Sequence, residues 1–290
     1  MIWLLQFETV RIGLALAGLL LASYYDLFNR RNVPNWLTYS MLALGFLLNV
    51  GTLDFQLVLW SSATALVVFA VGYLFYRAGQ LGGADVLIFA ALALLLPEAP
   101  TPLLPSGGEP LFTYPFILSI FVLSGAFSIV GVSLRSVPAV LDALASGKAR
   151  LDPASAVLAL SILFSYAVAL NFLNQTFGLP LAQTLLLASL ALLTSFLVLF
   201  REQITDSMVD WVPLREIEEE DVLAVDKLDK ELVRRHGLQR VLTPGEVEKL
   251  RRTGLKKFPV FKRMPPFVPY ILLALLALAM FGDPIRLFFG

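Results

Sequence analysis

Cysteine is absent from this chain, and histidine occurs once, at His236. The first absence excludes disulfides, thiolate nucleophiles and cysteine-ligated zinc. The second argues against a histidine-built metal site and against a Ser-His relay, and no cofactor is expected. Charge is scarce as well: 15% of residues are charged against 58% hydrophobic, with a mean hydropathy of +0.77. A soluble domain carries roughly a quarter charged residues, so this composition belongs in a lipid bilayer. The 22 basic and 22 acidic side chains balance, which leaves no argument for nucleic acid as a partner. Carboxylates remain as the main catalytic groups.

A spanning helix needs about 20 mostly apolar residues. On that criterion spans are predicted near 5–25, 36–53, 57–76, 86–104, 113–134, 154–174, 179–200 and 266–282. The first has Glu8 and Arg11 ahead of its apolar run in place of a basic leader region, with no small-residue cleavage site after it, so it is expected to be retained. Glu8 and Arg11 are spaced to pair on one helix face. Prolines 97, 100, 102 and 105 break the far end of the fourth. The expected fold class is an all-α polytopic membrane helix bundle of about seven or eight spans. Residues 1–200 form its core, 201–265 a small cytoplasmic helical insert, and 266–290 a final span and tail. Within the insert, 222–236 has an amphipathic helical pattern, and Thr243-Pro244-Gly245-Glu246 reads as a helix start with Gly254 as its stop. The acidic run 216–221 reads as a solvated linker, and His236 as a surface helix residue.

Lysine and arginine alternate between the loops. Arg30 and Arg31, Arg77, then Arg135, Lys148 and Arg150 follow the odd-numbered spans, whereas the loops near 54–56, 105–112 and 175–178 have neither residue. By the positive-inside rule both chain ends face outward and the odd loops are cytoplasmic.

Two carboxylates then fall at the same membrane face. Asp26 ends the first span in Ser23-Tyr24-Tyr25-Asp26, and Asp85 opens the fourth in Leu81-Gly82-Gly83-Ala84-Asp85. Ionisable groups at membrane depth are costly and are functional candidates by default. Two carboxylates that share a proton can hydrolyse a peptide bond: one takes a proton from water while the other, protonated, polarises the scissile carbonyl. Gly82 and Gly83 would allow unusual backbone dihedrals and a close substrate approach. Pro34 would hold Val33 extended, and Asn35 would cap the second span. Asp26 alone could simply mark a helix end, and the two glycines alone a turn or a packing site. Arg30, Arg31 and Arg77 are first of all topology determinants.

The segment from Asp26 through Arg30-Arg31-Asn32-Val33-Pro34-Asn35, with Gly82-Gly83-Ala84-Asp85, resembles the prepilin and preflagellin peptidase family of intramembrane aspartic proteases with a GxGD-type motif. Ala84 stands where that motif has its second glycine, a relaxation that resembles the archaeal branch. The insert followed by Pro265-Pro266-Phe267-Val268-Pro269 also looks like archaeal relatives. The resemblance implies Asp26 and Asp85 as catalytic dyad, supported by Gly82, Gly83, Ala84, Pro34 and Asn35, with no metal. It implies membrane-inserted prepilin or preflagellin precursors as substrates, cut at the cytoplasmic face of the cell membrane. Bacterial members add N-methylation through a cysteine-bearing domain, so cleavage without methylation is expected here.

Two other readings compete. A signal-peptide-peptidase or presenilin-like protease would suit Tyr25-Asp26, but expects a Pro-Ala-Leu tripeptide that does not occur. A proton- or cation-coupled transporter would use the aspartates as carriers, yet the halves show no internal repeat and both aspartates sit near one face.

Overall fold

The computed structural model describes residues 2–29, 32–104, 114–147, 149, 151–217, 221–262 and 264–283. Arg30, Arg31, Lys148, Arg150 and part of the acidic run therefore lie outside the described residues. An apolar helix stands at each of the eight expected positions: α1 (Ile2–Phe28), α2 (Asn35–Gly51), α3 (Phe55–Arg77), α4 (Gly83–Leu95), α5 (Ile117–Ala145), α6 (Pro153–Phe177), α7 (Leu181–Leu199) and, after the insert, α11 (Val268–Phe281). Four of them, α1, α3, α5 and α6, are long and apolar enough to cross a membrane, or five if α7 and the helix bent 70° from it are one span. The chain is thus an all-α polytopic membrane protein.

The difference from the expected spans lies in α4 and α11. With 13 and 14 residues they reach only about 20 Å, against a hydrocarbon core of about 30 Å. The proline-rich stretch stops α4 at Leu95, nine residues before the expected end at 104. Both short helices lie inside the bundle. Nearly every α4 residue from Val86 to Leu95 is buried, and α11 buries Val268, Ile271, Ala274, Leu275 and Leu278. Helix α4 packs against α2 and α3, and α11 against α5 and α1. By contrast, α3 and α6 leave most of their apolar surface exposed, the arrangement expected of helices that face lipid.

Glycines permit the closest contacts. A Cβ at Gly45 of α2 would come 2.8 Å from Leu94 Cβ, and one at Gly72 of α3 would come 2.7 Å from Val86 Cγ1. Both contacts let flanking helices approach α4. The buried end of α4 is also served by polar side chains. Arg11 of α1 donates to the carbonyls of Leu94 (3.4 Å) and Leu95 (3.2 Å), and Asn49 of α2 donates to Leu94 O (3.0 Å). Unpaired carbonyls at a helix end need such donors where water is excluded. Arg11 therefore does not pair with Glu8 as its spacing predicts; Glu8 instead accepts from the Thr101 N–H at 2.6 Å. Tertiary partners replace the local pair.

Residues 201–262 gather a separate small core around Leu223, Leu242, Leu250, Phe258 and Val260. Helices α8 (Arg201–Met208), α9 (Lys230–His236) and α10 (Pro244–Arg252) are joined by a sheet that the sequence reading did not anticipate: β1 (Val209–Pro213) runs antiparallel to β2 (Lys257–Phe261). Residues 222–223 add to it, bridging Val241 on one side and Val260 on the other. The amphipathic pattern over 222–236 is thus helical only from Lys230, because its first part is taken up by the sheet. Helix α10 starts as expected, with the Thr243 hydroxyl accepting from Glu246 N–H and Pro244 in the first turn. The acidic run is not uniformly solvated, since Asp221 is largely buried in an ion pair with Lys262.

Candidate active site

Asp26 lies in the last turn of α1 and is 7% exposed. The helix ends two residues later, where Asn29 closes a turn by donating from Nδ2 to Asn32 O (2.9 Å). Val33 then plugs into the core, so the chain turns back into α2. One Asp26 carboxylate oxygen accepts the backbone N–H of Val268 at 3.0 Å. Val268 is the first residue of α11, so a carboxylate from one helix satisfies an otherwise orphan amide at the start of another. Sequence reasoning missed Val268 because its contribution is a backbone atom. A faint signal exists nonetheless: in Pro265-Pro266-Phe267-Val268-Pro269 only Phe267 and Val268 have an N–H to offer.

Asp85 stands in the first turn of α4, half-buried, and one carboxylate oxygen accepts the Gly82 N–H at 3.0 Å. This is the reaching-back half of a capping box. Gly82 has φ −72 and ψ 151, which any residue can adopt. The expected dihedral freedom of the backbone is therefore not what the glycine supplies. Its role is spatial: a Cβ at Gly82 would come 3.0 Å from the Asp85 carboxylate oxygen. Gly83 begins the helix, and neither glycine is among the positive-φ residues. Ala84 is partly buried and packs its methyl on the main core, a setting that takes a small apolar side chain.

Pro34 and Asn35 are shifted by one place from expectation. Pro34 is the N-cap of α2, with φ −62 and ψ 136, and Asn35 is the first helical residue. The Asn35 side chain is exposed and makes no capping bond; its carbonyl accepts from the Thr38 hydroxyl at 3.0 Å. Pro34 wins the position because its fixed φ suits a helix entrance and its missing N–H costs nothing there.

The helix ends fix how these parts meet. Asp26 at the end of α1 touches the start of α11, while the far end of α11 accepts from Leu103 and Leu104 beyond α4 through Ala279 O and Met280 O, both at 3.0 Å. The start of α5 joins that far end, where Asp283 accepts from Tyr114 (2.6 Å) and Ser119 (2.5 Å). Asp26 and Asp85 thus occupy one end of the bundle, joined through Val268 and its neighbour Phe267, which meets the Phe89 ring of α4. One turn beyond Asp85, the Phe89 ring lies 5.5 Å from Phe121 and 6.1 Å from Phe267, an aromatic wall beside the carboxylates. Among the described residues no group of three or more His, Cys, Asp or Glu side chains is arranged to hold a metal ion. The site offers two carboxylates, two backbone amides that orient them, and an apolar surround.

Residues 13–134 match the type IV leader peptidase family. The prepilin peptidase EppA of Methanothermobacter thermautotrophicus is 30% identical over 129 residues, covering 42% of this chain and 33% of that relative. The match therefore spans about a third of the relative's length. No solved structure matches the chain. Residues 13–134 include both aspartates and the helices that present them, and over that stretch the chain is similar to the type IV leader peptidase family.

Proposed function

We propose that this protein is an aspartic endopeptidase that removes the short basic leader from membrane-inserted type IV pilin-like or archaeal flagellin-like precursors, with Asp26 and Asp85 as its catalytic dyad. The observation that carries this reading is the convergence of two carboxylates, one from α1 and one from α4, at one end of a buried helix cluster. The family match over 13–134 and the similar prepilin peptidase support the reaction class.

The chemistry follows from the two environments. Like charges at close range do not both ionise readily, so the pair holds one shared proton. The ionised carboxylate takes a proton from water as the oxygen attacks the scissile carbonyl carbon, and the protonated one donates to the developing oxyanion. Collapse of the tetrahedral intermediate breaks the C–N bond, a carboxyl proton passes to the amine, and the shared proton is restored. The Val268 and Gly82 amides orient the carboxylates through fixed hydrogen bonds. The active end faces the cytoplasm by the arginine and lysine pattern, where a basic leader would lie. With no cysteine in the chain, we propose cleavage without N-methylation.

The test is processing of a co-expressed prepilin or preflagellin in membranes by wild type, Asp26→Asn and Asp85→Asn. Each variant is expected to leave the precursor uncut while accumulating to the wild-type level. Cleavage by either variant would return that residue to a structural role and sink the dyad.

A further inference from the structure

The 201–262 segment packs against the loop that leads to Asp85 and continues in sequence to the start of α11, which holds Asp26. The loop between α3 and α4 closes α3 with a Schellman pair, Gln80 N–H to Phe75 O (2.9 Å) and Gly79 N–H to Tyr76 O (2.8 Å), with Gly79 at φ 70. Three residues later comes Gly82, whose amide holds Asp85. This loop rests on the insert: a Cβ at Gly79 would lie 3.4 Å from Val222 Cγ1 and 3.5 Å from Arg240 Cβ. Val222 and Arg240 sit on neighbouring extended segments, joined by the Leu223 N–H to Arg240 O bond at 2.7 Å. Arg240 is further held by Asp226 at 2.8 Å.

The same small sheet continues to the other carboxylate. The Phe261 N–H donates to Val222 O at 2.9 Å, which ties the edge under Gly79 to the end of β2. From β2 the chain runs through Pro265 and Pro266 to Val268, whose amide holds Asp26. Two prolines make that connection stiff. Packing and hydrogen bonds within the insert, together with the two chain connections at its ends, therefore link the amide on Asp85 to the amide on Asp26.

We propose that the 201–262 unit is a clamp that sets the spacing of the two aspartates, with Val222 and Arg240 as positioning residues that seat the Gly79 loop. The inference rests on the peptidase reading and adds a role for the segment outside the membrane helices. A clamp acts on the reacting geometry, so its loss lowers kcat and leaves substrate binding alone.

The absence of cysteine allows a direct test. Disulfides need Cβ atoms about 3.5–4.5 Å apart, and the Gly79–Arg240 pair meets this. Three proteins are compared with wild type on a purified prepilin carrying its leader: Arg240→Ala, the Gly79→Cys/Arg240→Cys double variant, and Asp26→Asn. Arg240→Ala is expected to lower kcat about tenfold with KM unchanged. The oxidised double variant should cleave within about twofold of wild type, and reduction by dithiothreitol should drop it to the Arg240→Ala level. Oxidised and reduced forms are one polypeptide, so strain at position 79 and folding yield cancel in that comparison. An inactive oxidised form that recovers on reduction would overturn the clamp, since the insert would then have to lift away for cleavage. Wild-type kinetics in Arg240→Ala and in both redox forms would overturn it too. Cleavage by Asp26→Asn would remove the peptidase reading and the clamp together, whereas dependence on Asp26 without dependence on Arg240 removes the clamp alone.

Discussion

Gly18 and Gly45 both sit buried where α2 meets a neighbour, yet adding a methyl group should have different costs at the two. At Gly18 the new Cβ would lie 2.7 Å from Met41 Cε and Sδ, the movable end of a flexible side chain. At Gly45 it would lie 2.8 Å from Leu94 Cβ and 3.0 Å from the Leu95 backbone nitrogen, which cannot move without displacing α4. Gly45→Ala is expected to destabilise by about 1–3 kcal/mol, and Gly18→Ala by less than about 1 kcal/mol. Unfolding in detergent micelles reads both, and equal losses would contradict the packing argument. Such contacts were not legible in the sequence, where Gly18 and Gly45 are two of 19 glycines. The aspartates were legible because an ionisable group inside an apolar run stands out by composition alone. The reason for Gly82 was only half legible: its position beside Asp85 was visible, but the tight approach of a Cβ to the carboxylate depends on where that carboxylate folds back.

Helix α4 shows why element lengths were harder to read than element positions. Its apolar run continues to Leu96, and although the prolines from Pro97 onward mark a break, nothing local says that this break lies inside the bundle. The stop becomes tolerable because Arg11 and Asn49, from α1 and α2, converge on the carbonyls of Leu94 and Leu95. Asn49 carried no signal, and Arg11 read as the partner of Glu8 on one helix face. Both are nonetheless buried, and each supplies what an internal helix end lacks. Asn49→Leu is expected to cost about 1–3 kcal/mol, the usual penalty for leaving a buried carbonyl short of a donor. Because Leu94 O receives from both residues, Asn49→Leu with Arg11→Met should cost more than the sum of the singles. Additive losses in the double-mutant cycle would mean that the two donors act independently. The insert repeats the lesson from the other side: its caps at Thr243 and Gly254 were readable locally, while the β1–β2 pairing joins segments far apart in sequence.

For the whole molecule, the arginine and lysine pattern and the packing of helix ends make one joint statement about orientation. Asp26, Asp85 and the α3–α4 loop share one end of the bundle with the insert, whereas the α2–α3 turn lies at the opposite end of those helices. That turn is marked by Leu53, 91% exposed at φ 57, and by Asp54, which caps α3 through the Gln56 and Leu57 amides. If the basic loops are cytoplasmic, the insert and both aspartates face inward and Leu53 faces outward. The cysteine-free chain permits single reporters at each end. Leu53→Cys in intact cells should react with a membrane-impermeant maleimide, and Arg235→Cys, on an exposed part of α9, should react only after permeabilisation. The reverse pattern would place the carboxylates on the outer face, away from a leader that has not crossed the membrane. The chemistry of two aspartates would survive that result, but a cytoplasmic leader as substrate would not.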